Sequence, residues 1–209
     1  GLSVDFIGFH GQTIFHNPLE NNPLENKSIQ LGDGKLLSKL TNKKVIYNFR
    51  QNDICNGGEG APLTPIFHIL LAESKFKKKF PLMILNLGGI ANSTIINHSE
   101  DIKGNKFTAC DVGPGNCLID YWIRQKSKNK YDKNGSIAKS GKIDKTILEK
   151  ALNIWIRNLD DKTSTTNYIW SRSHDIGDYD YSFANDLSLE NGAATITEYS
   201  AEIYAHFIN

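Results

Sequence analysis

Neither sign of charge predominates in this chain: 24 lysines and arginines stand against 23 aspartates and glutamates, a formal net charge of +1. Such a balance provides no overall field to attract nucleic acid or an anionic membrane, so any anion binding must be local. Cysteine is scarce. Cys55, Cys110 and Cys117 form no CxxC pair and no cluster with histidine, which signals neither a zinc site nor a redox pair and fits free thiols in a reducing cytosol. Long apolar runs are missing too. The stretch from Ile66 to Ala72, with His68 inside it, is far too short to span a membrane, and no signal-peptide pattern precedes it. A cytoplasmic location with no membrane partner is the expectation. The lysine-bearing phosphate loop GxxxxGK[ST] is also absent.

What is present is enough to fold. The chain has 209 residues, 39% hydrophobic and 22% charged, the composition of an ordered globular protein with a real core. Val4 to Phe9 reads as a buried strand that delivers HGQT, His10 to Thr13, at its end. From Asn17 to Asn26 the pentapeptide NPLEN is written twice, a polar repeat best read as a surface loop. Lys35 to Leu40 suits a short helix and Lys44 to Phe49 a strand; Pro62 and Pro65 suit the first turn of a helix running to about Ser74. The run KFKKKF, Lys75 to Phe80, reads as a solvated turn, since no second basic run or aromatic platform accompanies it. No nucleic-acid partner is expected. Strands follow at Leu82 to Leu87, Ala91 to Ile96 and Phe107 to Cys110, then helices at Cys117 to Arg124, Ile143 to Asn158 and Gly192 to Ile208. Mixed strands and helices joined by glycine turns indicate an α/β architecture. The chain begins at Gly1 and ends at Asn209 inside a helical pattern, so both ends read as cut.

Three segments carry candidate chemistry. In LNLGGIANST, Leu85 to Thr94, the pair Gly88 and Gly89 lets backbone N–H groups approach an anion while Asn92 adds a side-chain donor. Taken alone, the pair fits a plain hairpin as well as a phosphate site. DVGPGN, Asp111 to Asn116, places Pro114 between Gly113 and Gly115 with a carboxylate and an amide at its flanks. This suits either a site or a turn that caps the next helix. In NFRQNDICNGGEGAPL, Asn48 to Leu63, Asp53 near Arg50 and followed by Gly58 and Gly60 could act as a general base over a substrate, or form an ion pair beside a loop.

The order of these segments is more specific than any one of them. HGQT, then FRxxD with GGxGAPL, then LNxGGIAN, then DxGPGN, resembles the signature of anhydro-N-acetylmuramic acid kinases, and the resemblance continues through YDKNGSIAKSGKID and LSLENGAAT. It implies the two-lobed actin-like ATPase fold, ribonuclease H-like in its lobes and here truncated at both ends. Residues 1–80 would be the remainder of the sugar-side lobe and residues 81–209 part of the phosphate-side lobe. It implies an ATP- and Mg2+-dependent kinase that opens 1,6-anhydro-N-acetylmuramic acid with water and phosphorylates it during cell-wall recycling, often as a homodimer. Carried over by motif, Asp53 is the base on the attacking water and Arg50 positions it. His10, Gly11, Gln12, Thr13, Gly58 and Gly60 go to the sugar. Gly88, Gly89, Asn92, Asp111, Gly113, Gly115 and Asn116 go to the nucleotide. No resident metal site in the protein is implied.

Two departures from the family pattern stand out. Relatives commonly have aspartate at the position of Asn48, and the family's cluster of lysine, serine and arginine appears here as Arg172 to Ile176, one arginine short. The family's first phosphate loop and its adenosine loop do not occur in these residues, so the isolated chain is expected to bind ATP poorly. Another actin-like phosphotransferase, such as an acetate kinase or exopolyphosphatase relative, would share the hairpin but not the HGQT and FRQND context. A non-catalytic carbohydrate-binding remnant is the reading from a different class, and a nucleic-acid binder built on KFKKKF ranks last.

Overall fold

The computed structural model describes residues 4–17, 27–76, 80–98, 107–161, 177 and 179–208. All of the NPLEN repeat after Asn17, the middle of KFKKKF and the segment Arg172 to Ile176 lie outside the described residues. Two compact units divide the chain, Gly1–Thr64 and Pro65–Asn209, and the architecture of the whole is mixed α/β.

In the first unit β1 (Phe6–Phe9) pairs in parallel with β4 (Lys44–Tyr47), from Phe6 opposite Lys44 to Phe9 opposite Tyr47. A parallel pair needs a crossover. It is supplied by an antiparallel hairpin, β2 (Gln12–Asn17) with β3 (Lys27–Leu31), and by helix α1 (Gly34–Thr41). Asp33 starts α1 by accepting hydrogen bonds from the amides of Lys35 and Leu36, both at 2.9 Å. The buried strand expected at Val4 to Phe9 is only half realised: Phe6 is 63% exposed and the strand alternates exposed with half-buried positions. A two-stranded sheet with α1 packed against β4 buries one side at most.

The chain after β4 also departs from expectation. The strand stops at Tyr47, Asn48 turns in the left-handed region (φ 61, ψ 40), and Phe49–Cys55 forms a short helix, α2. Asparagine is among the few residues that adopt this conformation readily. The consequence is that Arg50 and Asp53 lie three residues apart on one helix face.

The second unit has three layers. Helix α3 (Pro65–Lys75) has Pro65 at its first position, as expected. The central sheet runs β5 (Leu82–Leu87), β6 (Ile90–Ile96), β7 (Thr108–Pro114), all antiparallel. Ile69 and Ala72 of α3 pack on Ile96, Leu82 and Phe107 from one face, where His68 Nδ1 also meets Thr94 Oγ1 at 2.8 Å. The other face presents Leu85, Cys110 and Val112 to Tyr204 and Phe207 of α7 (Leu189–Ile208). Strand β7 is longer than the sequence suggests, because Ala91 and Ile90 continue the ladder to Gly113 and Pro114. A proline is tolerated there because it ends the strand.

Helices α4 (Cys117–Lys126), α5 (Ser136–Ser140), α6 (Lys145–Asp161) and α7 enclose the largest core, built around Trp122, Ile123, Ile196 and Ile203. Trp122 Nε1 donates to the Leu189 carbonyl at 2.9 Å, and its ring lies where a Cβ at Gly192 would be. Gly192→Ala is therefore expected to destabilise the second unit by about 1–3 kcal/mol, read as a lower urea midpoint at unchanged slope. His68 supplies a pH test. Burial lowers its pKa in the folded chain, so the unfolded chain takes up the proton first, near its ordinary value of about 6.5. Stability is expected to be fully present above that value and to fall as pH drops below it, until the folded pKa is passed. Thermal midpoints of His68→Gln, followed over the same pH range, should lack this component.

Candidate active site

The first cluster lies in the first unit and grows from the ends of β1 and α2. Just past β1, His10 Nδ1 donates to the Gly11 carbonyl at 3.0 Å, and His10 Nε2 accepts from Arg50 Nε at 3.1 Å. The second bond places the ring proton on Nδ1. Arg50 Nη1 also donates to the Gly60 carbonyl at 3.1 Å, and the Gly60 N–H donates to Asp53 Oδ2 at 2.7 Å. One residue, Gly60, thus joins the guanidinium to the carboxylate. The ion pair between Arg50 and Asp53 that the sequence left open is absent among the described residues; the link is indirect. Partial burial lowers the Arg50 pKa, yet a guanidinium remains charged at any ordinary pH.

Glycine is required beneath Asp53. Gly58 donates its N–H to the Asp53 carbonyl at 2.9 Å, and a Cβ at Gly58 would overlap the Asp53 carboxylate. Gly60 has φ +70, and a Cβ there would come within 2.9 Å of the Ile54 side chain. Of the residues expected on the sugar side, His10, Gly11, Gly58 and Gly60 are gathered with Arg50 and Asp53. Gln12 and Thr13 are not. They open β2, where the Gln12 side chain only reaches the Thr13 carbonyl at 3.5 Å and Thr13 Oγ1 is buried without a hydrogen-bond partner among the described residues. Sequence reasoning missed the wall that β3 contributes: Ser28 and Gln30, with Phe9, Tyr47 and Asn48, line a hollow of about 270 Å³ beside His10. The alternation of SIQL before Gly32 and Asp33 was the available signal.

The second cluster lies in the second unit, where the Gly88–Gly89 turn is stapled to the junction of β7 and α4. The amides of Asn116 and Cys117 donate to the carbonyls of Gly88 at 2.7 Å and Gly89 at 3.0 Å. Asn116 Nδ2 adds bonds to the Leu87 carbonyl at 3.0 Å and the Gly88 carbonyl at 3.2 Å. Asn116 precedes α4 but makes no side-chain cap bond; its amide is turned back to the hairpin instead. Gly115 permits this approach, since a Cβ there would overlap the Gly88 carbonyl oxygen. Gly113 serves packing: a Cβ would meet Ile203 at 2.8 Å. Nearby, the Tyr204 hydroxyl donates to the Pro114 carbonyl, and the Tyr204 phenol is pushed up to about 12, chiefly by burial and then by the charge of Cys117.

Asn86, Asn92 and Asp111 are directly opposite one another across β5, β6 and β7. They form a polar row on the face that carries Thr94, and Asn86 stands two residues before Gly88. Asp111 is 9% exposed. A larger cavity, about 550 Å³, opens beside Asn116 and is lined by Asp120, Asp132, Lys139 and Glu198 among others. Within it Asp132 already accepts from the amides of Ile137 and Ala138, both at 2.9 Å. All three cysteines are free, as expected, and burial raises the Cys110 and Cys117 thiols. Among the described residues there is no group of three His, Cys, Asp or Glu side chains placed to hold a metal ion, and no helix is long and apolar enough to cross a membrane.

A family model described as anhydro-N-acetylmuramic acid kinase matches residues 1–165. The chain belongs to that family. Relatives bearing the same name include one from Pelagibacter ubique (strain HTCC1062), 46% identical over 206 residues that cover 97% of this chain and 50% of the relative. A second, from Gluconobacter oxydans (strain 621H), is 36% identical over 98% of this chain and 53% of its own length. A third, from Zymomonas mobilis subsp. mobilis, is 36% identical over 99% of this chain and 51% of its own. The chain spans about half the length of the curated relatives it matches. The kinase-family resemblance carried by the order of HGQT, FRxxD, LNxGGIAN and DxGPGN is thereby borne out.

In this kinase family member, the staple between hairpin and helix gives a test independent of turnover. Gly115→Ala is expected to break the bonds from Asn116 and Cys117 to the glycine turn. Amide hydrogen exchange at residues 116 and 117 should speed up at least tenfold while the Trp122 core stays protected; unchanged exchange would contradict the assigned bonds.

Proposed function

We propose that the chain contributes to an ATP-dependent kinase that converts 1,6-anhydro-N-acetylmuramic acid to N-acetylmuramic acid 6-phosphate, opening the anhydro ring with water, in peptidoglycan recycling. The observation that carries this reading is the fixed carboxylate of Asp53, held at Oδ2 by the Gly60 amide while Arg50 is tied to His10 and Gly60. Asp53 Oδ1 has no hydrogen-bond partner among the described residues. It is the oxygen we give to the water. Asp53 takes one proton as that water's oxygen bonds to the anomeric carbon, and the bond from that carbon to the bridging oxygen breaks with its electron pair on oxygen. The bridging oxygen then accepts the terminal phosphoryl group of ATP, and ADP leaves.

Phosphoryl transfer demands mainly position and charge stabilisation. We place that part in the second unit, at the turn of Gly88 and Gly89. A side chain at Gly89 would meet nothing within 4 Å, so the turn is open to approach, and its carbonyls are already used by Asn116 and Cys117. Magnesium supplies charge neutralisation when it accompanies ATP, and it usually binds through one or two carboxylates together with phosphates. Asp111, beside Asn92, fits that modest demand. An actin-like, ribonuclease H-like fold, a cytoplasmic setting and a homodimer belong to the same reading, supported by family membership.

The test places this chain in the corresponding half of the Pelagibacter relative and measures formation of N-acetylmuramic acid 6-phosphate from the anhydro sugar and ATP. Asp53→Asn is expected to lower kcat by roughly 10²- to 10⁴-fold, the usual weight of a general base, with KM little changed. Undiminished turnover in that variant would remove Asp53 from the chemistry.

A further inference from the structure

The geometry points to His10 as a positioning residue for the proposed base: through Arg50 and Gly60 it fixes where the Asp53 carboxylate sits, without touching the sugar itself. The inference rests on the reading of Asp53 as the base, and it takes His10 out of the sugar contacts expected from the sequence. A neutral imidazole has one donor and one acceptor. Both are in use, since Nδ1 donates to the Gly11 carbonyl at 3.0 Å and Nε2 accepts from Arg50 Nε at 3.1 Å. The ring has no nitrogen left for a sugar hydroxyl. Its own anchor is confined as well: Gly11 is left-handed at φ +76, and a Cβ there would come within 2.6 Å of the Leu31 carbonyl oxygen.

Three hydrogen bonds in series lead from this ring to the base. A guanidinium is a planar fork whose N–H directions turn together. The bond from Nε to His10 therefore also sets the aim of Nη1, which donates to the Gly60 carbonyl at 3.1 Å. Gly60 in turn donates its N–H to Asp53 Oδ2 at 2.7 Å. A glycine at φ +70 has no side chain of its own to hold its backbone in place. The clamp on its carbonyl supplies that hold and keeps its N–H directed at the carboxylate. Without the acceptor at Nε2 the fork is free to turn, and the disturbance passes through Gly60 to Asp53. A catalytic group loses effect when its position is relaxed, so the loss falls on kcat rather than on sugar affinity.

The experiment compares two amide substitutions. His10→Gln carries an acceptor oxygen about as far along the side chain as Nε2, whereas His10→Asn stops a methylene short of it. In the hybrid with the Pelagibacter relative, His10→Asn is expected to lower kcat roughly tenfold or more, the weight of one hydrogen bond from a charged group, with KM for the anhydro sugar little changed. His10→Gln should restore kcat to within about threefold of the unsubstituted hybrid. Hydrogen exchange on the 209-residue chain reads the relay without turnover. The Gly60 amide should exchange roughly tenfold faster or more in His10→Asn and near its original rate in His10→Gln, with the amides of the β1–β4 ladder protected in both. A raised KM at unchanged kcat, a His10→Gln variant no better than His10→Asn, or Gly60 exchange indifferent to both would overturn the positioning role. If His10→Asn unfolds the first unit, His10→Leu decides in its place: it fills the space without an acceptor and should release Gly60, and undiminished Gly60 protection there overturns the role. Gly60 exchange that follows position 10 while Asp53→Asn turns over normally removes the base assignment and leaves the relay. Gly60 exchange that ignores position 10 while Asp53→Asn lowers turnover as expected removes the relay alone.

Discussion

Both candidate clusters depend on backbone atoms approaching one another where a single methyl group would intrude. At Gly58 the intruding carbon would displace the Asp53 carboxylate, and at Gly115 it would push the hairpin away from α4. Each of these glycines therefore determines the position of a group other than itself. The entropy lost by ordering a glycine is larger than for any other residue, and in both places it is offset by hydrogen bonds that only this proximity allows. The same logic explains why Asn116 does not cap its own helix. With the Gly88 carbonyl so near, the side-chain amide bonds the hairpin and fastens the sheet edge to the helix start.

The first cluster also depends on how the chain leaves β4. A single left-handed residue, Asn48, ends the strand and starts a helix of seven residues. That helix is too short to be stable by propensity alone, so its position is set by contacts such as Arg50 to His10 and Arg50 to Gly60. The arrangement is reciprocal. The same bonds that orient Arg50 hold α2 against the end of β1, and α2 in turn carries Asp53 to the Gly60 amide.

Much of the second unit was legible because its signals are local. Pro65 at a helix start, the apolar run of β5, the glycine pair and the periodicity of α6 and α7 each announce themselves within a few residues. What could not be read depends on distant partners. Strand β7 reaches Pro114 only because Ile90 and Ala91 lie beside it, and the segment Phe49 to Cys55 carries no capping side chain to mark it as helical. The exposure of Phe6 likewise depends on how many strands join β1. For the candidate site, motif order singled out Arg50, Asp53, His10 and the glycines around them, which the fold gathers, whereas the bonds through Gly60 and the wall formed by Ser28 and Gln30 follow from tertiary approach. Gln12 and Thr13 stand beside His10 in sequence but open β2, and among the described residues no hydrogen bond joins their side chains to His10, Arg50 or Asp53.

An indirect link between Arg50 and Asp53 suits the proposed chemistry better than an ion pair would. A guanidinium laid against the carboxylate in the usual forked manner would put a donor on each oxygen, and a cation in direct contact would lower the basicity the carboxylate offers a water molecule. Here the guanidinium gives its hydrogen bonds to an imidazole and a backbone carbonyl, and among the described residues the carboxylate receives only the Gly60 N–H, at one oxygen. The Arg50 bond to the Gly60 carbonyl holds the loop that carries that glycine, which leaves the second oxygen of Asp53 for the proposed water. On this account, conversion of Gly60 to a residue that cannot keep its φ of +70 would disconnect the arginine from the base without touching either side chain.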